Sequence, residues 1–143
     1  MTGRIALAAL ALWAVLAVPA APARADVAIE GAGVFGGGAA SSAGAALSLG
    51  LLHVPLTPFS ADLTVAVPFS GGFATTLDGR LEVAGTTIGA GAGFGRLGAG
   101  GRTGGMYDAL IARGIAPHTA LQIRVYVGGA RSATSFAGIR FSF

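Results

Sequence analysis

Ala74-Thr75-Thr76-Leu77-Asp78-Gly79-Arg80-Leu81-Glu82-Val83-Ala84 is the stretch that decides the fold. Asp78, Arg80 and Glu82 fall at i, i+2 and i+4, while Leu77, Leu81 and Val83 take the other parity. A β-strand sends alternate side chains to opposite faces, so three charges gather on one face and the aliphatics on the other. A helix would spread the same charges around its circumference.

The rhythm extends both ways from this segment. Upstream, Leu63, Val65, Val67 and Phe69 alternate with Asp62, Thr64, Ala66 and Pro68, and Ser70-Gly71-Gly72 turns the chain. Further upstream, Leu47, Leu49 and Leu51 share a face in 43–52, and Val27, Ile29, Gly31, Gly33 and Phe35 share one in 26–35, opposite Glu30. His53 to Phe59 holds Pro55 and Pro58 and reads as a turn. Downstream, Ile88, Ala90, Ala92 and Phe94 alternate with Thr87, Gly89, Gly91 and Gly93, before a Gly-rich loop at 96–105. In 106–116, Arg113 shares a parity with Tyr107, Ala109, Ile111 and Ile115, so this segment reads as a strand or a short helix. Pro117-His118-Thr119 is a turn. Leu121, Ile123, Val125 and Val127 then oppose Gln122, Arg124 and Tyr126, and Ala137, Ile139, Phe141 and Phe143 oppose Gly138, Arg140 and Ser142.

Eight strands of about ten residues match what a membrane-crossing β-strand needs. The expected architecture is therefore all-β: an eight-stranded antiparallel up-and-down transmembrane β-barrel, residues 26–143. Alternation alone leaves a second arrangement open. In a soluble barrel or sandwich the apolar face turns inward, and a cavity lined by Leu63, Val65, Leu77 and Leu81 would hold a hydrophobic ligand.

Composition favours the membrane. Hydrophobic residues make up 53% of the chain and charged ones 10%, against about a quarter charged in soluble domains. The most apolar stretch of the expected domain, 39–56, is interrupted by Gly44, Gly50, His53 and Pro55 and does not read as a spanning helix. Residues 1–25 read as a cleaved, helical signal peptide of the Sec type. Arg4 is the positive n-region, and Ile5–Val18 is an apolar run shorter than the roughly 20 residues of a spanning helix. Ala23-Arg24-Ala25 is an A-x-A cleavage site. With Arg4 and Arg24 removed, seven Arg face six acids, which leaves no basic face for nucleic acid. The absence of Cys excludes disulfides, thiolate metal sites and thiol nucleophiles, and the absence of Lys excludes a phosphate-binding P-loop. Gly31-Ala32-Gly33-Val34-Phe35-Gly36 matches G-x-G-x-x-G, but 25 glycines make chance matches easy, and no acid follows at the spacing a dinucleotide site requires.

Gly138-Ile139-Arg140-Phe141-Ser142-Phe143 resembles the C-terminal assembly signal of bacterial outer-membrane β-barrels, with Ile139, Phe141 and Phe143 at alternate positions. Together with the export signal and the strand rhythm, the chain resembles small eight-stranded outer-membrane barrels of the OmpA/OmpX kind. The resemblance covers architecture, not individual residues. It implies an outer-membrane location, contact with outer-membrane lipid and recognition of the last strand by the barrel assembly machinery. A monomer is expected. The loops depart from that family in being short and Gly-rich, which argues against an adhesin.

With the apolar face outward, Glu30, Asp62, Asp78, Arg80, Glu82, Arg124 and Arg140 become an inward charge ladder, with Arg113 less surely placed. Eight strands leave a lumen just wide enough for side chains to fill. Balanced Arg–carboxylate pairs would plug it, because buried charges require partners. Glu30 and Arg140 are the leading expected pair, since the first and last strands adjoin. An ion or proton path along the ladder is the alternative. Phe35, Phe69, Phe73, Phe94, Tyr107, Phe141 and Phe143 lie near strand ends, as interfacial girdles do. Both histidines, His53 and His118, fall at turns on the side of the N-terminus. Lipid A-modifying barrels place a His with a Ser and an acid near the opposite rim, and no His is available there. Asp78 and Glu82 share a face, but Arg80 between them suggests pairing instead of acid–base catalysis. The sequence therefore reads as a non-catalytic outer-membrane barrel with a structural, small-solute or interaction role. No cofactor or metal is expected.

Overall fold

The computed structural model describes residues 27–36, 42–97, 102–128 and 133–143. The expected signal peptide, with Ala23 and Ala25, lies outside the described residues.

Alternating sequence becomes eight antiparallel strands: β1 (Val27–Gly36), β2 (Ser42–His53), β3 (Phe59–Pro68), β4 (Gly72–Val83), β5 (Thr86–Leu97), β6 (Gly104–Ala116), β7 (Thr119–Gly128) and β8 (Ala133–Ser142). Each pairs with its sequence neighbours, and β8 returns to β1 to close the barrel. Residues 106–116, open between strand and helix, are strand throughout. The 96–105 loop is shorter than expected, because β5 continues through Leu97 and β6 begins at Gly104. His53 is the last residue of β2, not part of the turn.

The β2–β3, β4–β5 and β6–β7 connections lie at one end of the barrel, with the start of β1 and the end of β8; this is called the turn end here. The opposite end, which includes the β3–β4 connection, is the loop end. Two turn-end connections are two-residue hairpins. Ala84 and Gly85, both at positive φ, join the paired residues Val83 and Thr86, the geometry that matches strand twist. Pro117 and His118 join Ala116 to Thr119, with His118 at φ 62°, the pattern of a type II turn.

The faces sort by polarity in the inverse sense to a soluble barrel. Ile29, Leu47, Val65, Leu77, Leu81, Ile111, Ile123 and Ile139 are exposed on the outside, Ile123 at 52%. Asp78, Arg124, Gln122 and Thr64 are buried inside, none above 1%. A ligand cavity lined by Leu63, Val65, Leu77 and Leu81 does not exist, since Val65, Leu77 and Leu81 all point outward. Aromatic side chains mark both ends of the outer surface. Phe35, Phe69, Phe94 and Tyr107 ring the loop end, and Phe59, Phe141 and Phe143 ring the turn end. These are the girdles of a barrel immersed in lipid.

Such a surface has a measurable consequence. Ile123 lies halfway along β7 on the outer face. Ile123→Arg is expected to cost about 2–4 kcal/mol in lipid vesicles, the cost of a cation near the midplane. Urea titration of the refolded variant measures it. A loss below about 0.5 kcal/mol, ordinary for a solvated surface, would contradict lipid immersion.

Candidate functional site: the lumen

Inward positions build the lumen in three layers. At the loop end, Ala32, Val34, Ala46, Ala66, Ala74, Met106, Tyr126 and Phe136 form an apolar plug. Tyr126 and Phe136 stack edge to face, with centroids 5.4 Å apart. The sequence places Tyr126 and Phe136 at inward parity, so this layer follows from alternation on β7 and β8.

Below it lies the central charge layer. Arg124 from β7 crosses the lumen to Asp78 on β4: Nη1 donates to Oδ2 at 2.7 Å. The same nitrogen donates to Asp108 Oδ2 of β6 at 2.9 Å. Thr64 donates to Asp78 Oδ2 at 2.7 Å and shares a 3.0 Å hydrogen bond with Ser48. Weaker contacts from Arg124 reach Thr76 and Thr64. Its guanidinium carbon lies 5.7 Å from the Tyr126 ring centroid, tying this layer to the plug. Asp78 and Asp108 each leave Oδ1 without a hydrogen-bond partner. Both atoms converge over Gly91 of β5, where any Cβ would overlap them.

The third layer lies nearer the turn end. Asp62 Oδ2 is shared by two guanidinium groups, Arg80 Nε at 2.9 Å and Arg140 Nη2 at 3.2 Å. The Arg80 contact is off the N–H direction, so it is an ion pair without a hydrogen bond. Arg80 Nη2 also lies 3.8 Å from Asp78 Oδ2. Glu30 accepts a hydrogen bond from Gln122. A cavity of about 570 Å³ opens below this layer at the turn end, lined among others by Asp62, Arg80, Glu82, Arg140, His53 and His118.

Measured against the ladder read from sequence, Glu30, Asp62, Asp78, Arg80 and Arg124 are buried and Arg140 is partly buried. Glu82 has inward parity but is exposed at the mouth of the turn-end cavity. Arg113 is on the outside. There Nη1 donates to Ala84 O at 3.2 Å and to Thr86 Oγ1 at 2.6 Å, clasping the β4–β5 turn. Glu30 and Arg140 are partners in backbone register, yet their side chains do not pair: Glu30 turns to Gln122 and Arg140 to Asp62. Asp108 was missed. Its parity opposite Tyr107 and Ala109 was the available signal, obscured by the outward Arg113 on the same strand. Among the described residues, no cluster of His, Cys, Asp and Glu could hold a metal ion.

A closed antiparallel barrel with an aliphatic exterior, two aromatic girdles and a polar interior has one counterpart among barrels. The fold is that of a transmembrane β-barrel. A designed transmembrane β-barrel matches 83% of this chain and 96% of its own, at a TM-score of 0.57 and 10% identity, so the likeness is one of fold. Ail of Yersinia pestis, solved with the heparin analogue sucrose octasulfate, matches 82% of this chain and 95% of its own (TM-score 0.48, 13% identity). A mutant porin of Rh. blastica matches 75% of the chain but only 36% of its own length (TM-score 0.38, 21% identity). No protein-family model and no curated protein matches the sequence. The lumen of this transmembrane barrel is blocked at the loop end, ion-paired at the centre and open at the turn end.

Proposed function

We propose that the protein is a non-catalytic barrel of the bacterial outer membrane whose lumen does not conduct. Its role is structural or interactive, not that of a diffusion pore. The observation that carries this reading is the Arg124–Asp78–Asp108 bridge across the lumen under the Tyr126–Phe136 layer. A pore of this width would need that space for water and solute, and here buried, mutually paired side chains fill it. Catalysis is disfavoured by placement. His53 and His118 belong to the turn end, and the acids nearer the loop end are held by Arg124.

The same reading has the chain exported by residues 1–25, oriented with the turn end toward the periplasm, and monomeric. Its outward Ile139, Phe141 and Phe143 belong to the strand offered to the assembly machinery. Two measurements test it together. In fractionated cells the protein should be in the outer membrane and shift mobility on boiling. In planar bilayers the purified barrel should show no stable conductance steps. Recovery in the soluble periplasm would overturn the location, and regular unitary steps would overturn the closed lumen.

A further inference from the structure

The turn-end cavity ends on guanidinium groups with unfilled hydrogen-bond donors. Two guanidinium groups, Arg80 and Arg140, rest on a single carboxylate oxygen, Asp62 Oδ2. None of the neighbouring acids hydrogen-bonds to Arg80, although Glu30 Oε1 and Asp78 Oδ1 are also without partners. Asp78 belongs to Arg124, Thr64 donates to it as well, and it reaches Arg80 only at 3.8 Å. Glu30, opposite Arg140 in register, takes its hydrogen bond from Gln122. Arg80 is 5% exposed, yet its Nε and Nη2 have no hydrogen-bond acceptor among the described residues, and neither does Arg140 Nη1. Buried guanidinium groups are costly without acceptors. Both line a cavity of about 570 Å³, open to the turn end and far larger than one small ion.

We infer that this cavity binds a small oxyanion, a phosphate or short carboxylate, between Arg80 and Arg140. The planar guanidinium fork suits two-oxygen recognition, and the two groups approach from different strands, β4 and β8. Asp62 orients both arginines, and with Glu82 also on the wall the cavity carries no excess positive charge, so the site is limited to a monoanion held by the unfilled donors. Glu82, two residues beyond Arg80 on the same face, stands at the mouth and opposes entry of larger anionic charge. The plug and the Arg124 bridge close the far side, so the site is a cul-de-sac and not a stage of a conduction path. It goes beyond the closed-barrel reading, and conductance and binding report on the two separately.

Isothermal titration of the refolded protein in uncharged detergent micelles, at constant ionic strength, tests this with inorganic phosphate and with acetate. Saturable binding of either at one site per barrel is expected. Arg140→Gln should weaken it on the order of ten- to a hundredfold, the worth of a charge-assisted hydrogen bond. Arg113→Gln, on the outer wall, should leave it unchanged. Glu82→Gln should tighten it, and this keeps the test open if Arg140→Gln does not fold. Absence of saturable binding for both anions overturns the site. So does equal affinity in wild type and Arg140→Gln, or equal affinity in wild type and Glu82→Gln.

Discussion

Arg124→Ala is expected to destabilise the barrel by about 3–5 kcal/mol, among the largest effects of any single substitution in the lumen. The cost follows from what remains behind. Arg124 Nη1 is within 2.9 Å of both Asp78 and Asp108, and all three side chains are at most 1% exposed. Removing the cation leaves two carboxylates facing each other over Gly91, with Thr64 the remaining short donor to Asp78. An uncompensated buried charge of this kind carries a penalty of that size. Asp108→Asn should cost less, because Asp78 still holds the guanidinium at 2.7 Å. Adding Asp78→Asn and Asp108→Asn to Arg124→Met should recover part of the loss, as an apolar or neutral centre replaces a broken ionic one. Urea unfolding of the refolded variants in micelles measures the series. Wild-type stability in Arg124→Ala would mean that the bridge does not hold the lumen.

That bridge also shows what could be read in the sequence and what could not. Parity assigned Asp78, Arg80 and Arg124 to the interior, because on β4 and β7 Leu77, Leu81, Val83, Leu121, Ile123, Val125 and Val127 all take the opposite parity. On β6 the same reasoning was confounded by Arg113, a charge of outward parity. The structure explains why a cation is tolerated there. It lies near the turn end, past the lipid-facing centre, with Ala84 O and Thr86 Oγ1 as acceptors, and charged outward residues cost little near the interface. Asp108, on the other parity of that strand, was therefore overlooked. Partners were harder to read than faces. Sequence order identifies which strands adjoin, and β1 and β8 do adjoin, but the side-chain pair expected there between Glu30 and Arg140 does not form. In so narrow a barrel, long side chains meet across the lumen. Arg124 on β7 reaches β4, and Arg140 on β8 reaches Asp62 on β3. Those pairings depend on relative heights along the axis, set by strand stagger, which a linear pattern does not encode.

The three layers have distinct energetic roles. The apolar plug buries Phe136 and Tyr126 where the outer wall is already saturated by lipid, so the interior gains a small hydrophobic core of its own. The central bridge is worth little net stability against an apolar substitute, yet is costly to break, which makes it a device for a unique register more than a source of affinity between strands. The Asp62–Arg80–Arg140 layer holds unfilled donors, and it is the layer that faces an open cavity.

Gly138→Val is expected to prevent closure of the barrel, seen as loss of the heat-modifiable folded band on refolding. Gly138 pairs with Ala32 across the seam where β8 meets β1. A Cβ at this position would overlap Gly31 O and come within 2.6 Å of Ala32 Cα and 2.8 Å of Ala32 Cβ. The obstructing atoms are backbone or rigidly attached to it, so no rotamer change relieves the overlap. Relief requires β1 and β8 to separate, which breaks the ladder that closes the sheet and exposes edge strands to pairing with other chains. Gly138→Ala carries the same Cβ and should likewise lose the heat-modifiable folded band. Gly31→Ala is the matched control on the partner strand. It lies on the same seam, but its Cβ would point outward and meet nothing within 4 Å. It should stay within about 0.5 kcal/mol of the parent. If both alanine variants are tolerated equally, the strands at the seam are farther apart than described. If only Gly138 is intolerant, the missing side chain there is a condition of closing a barrel this narrow.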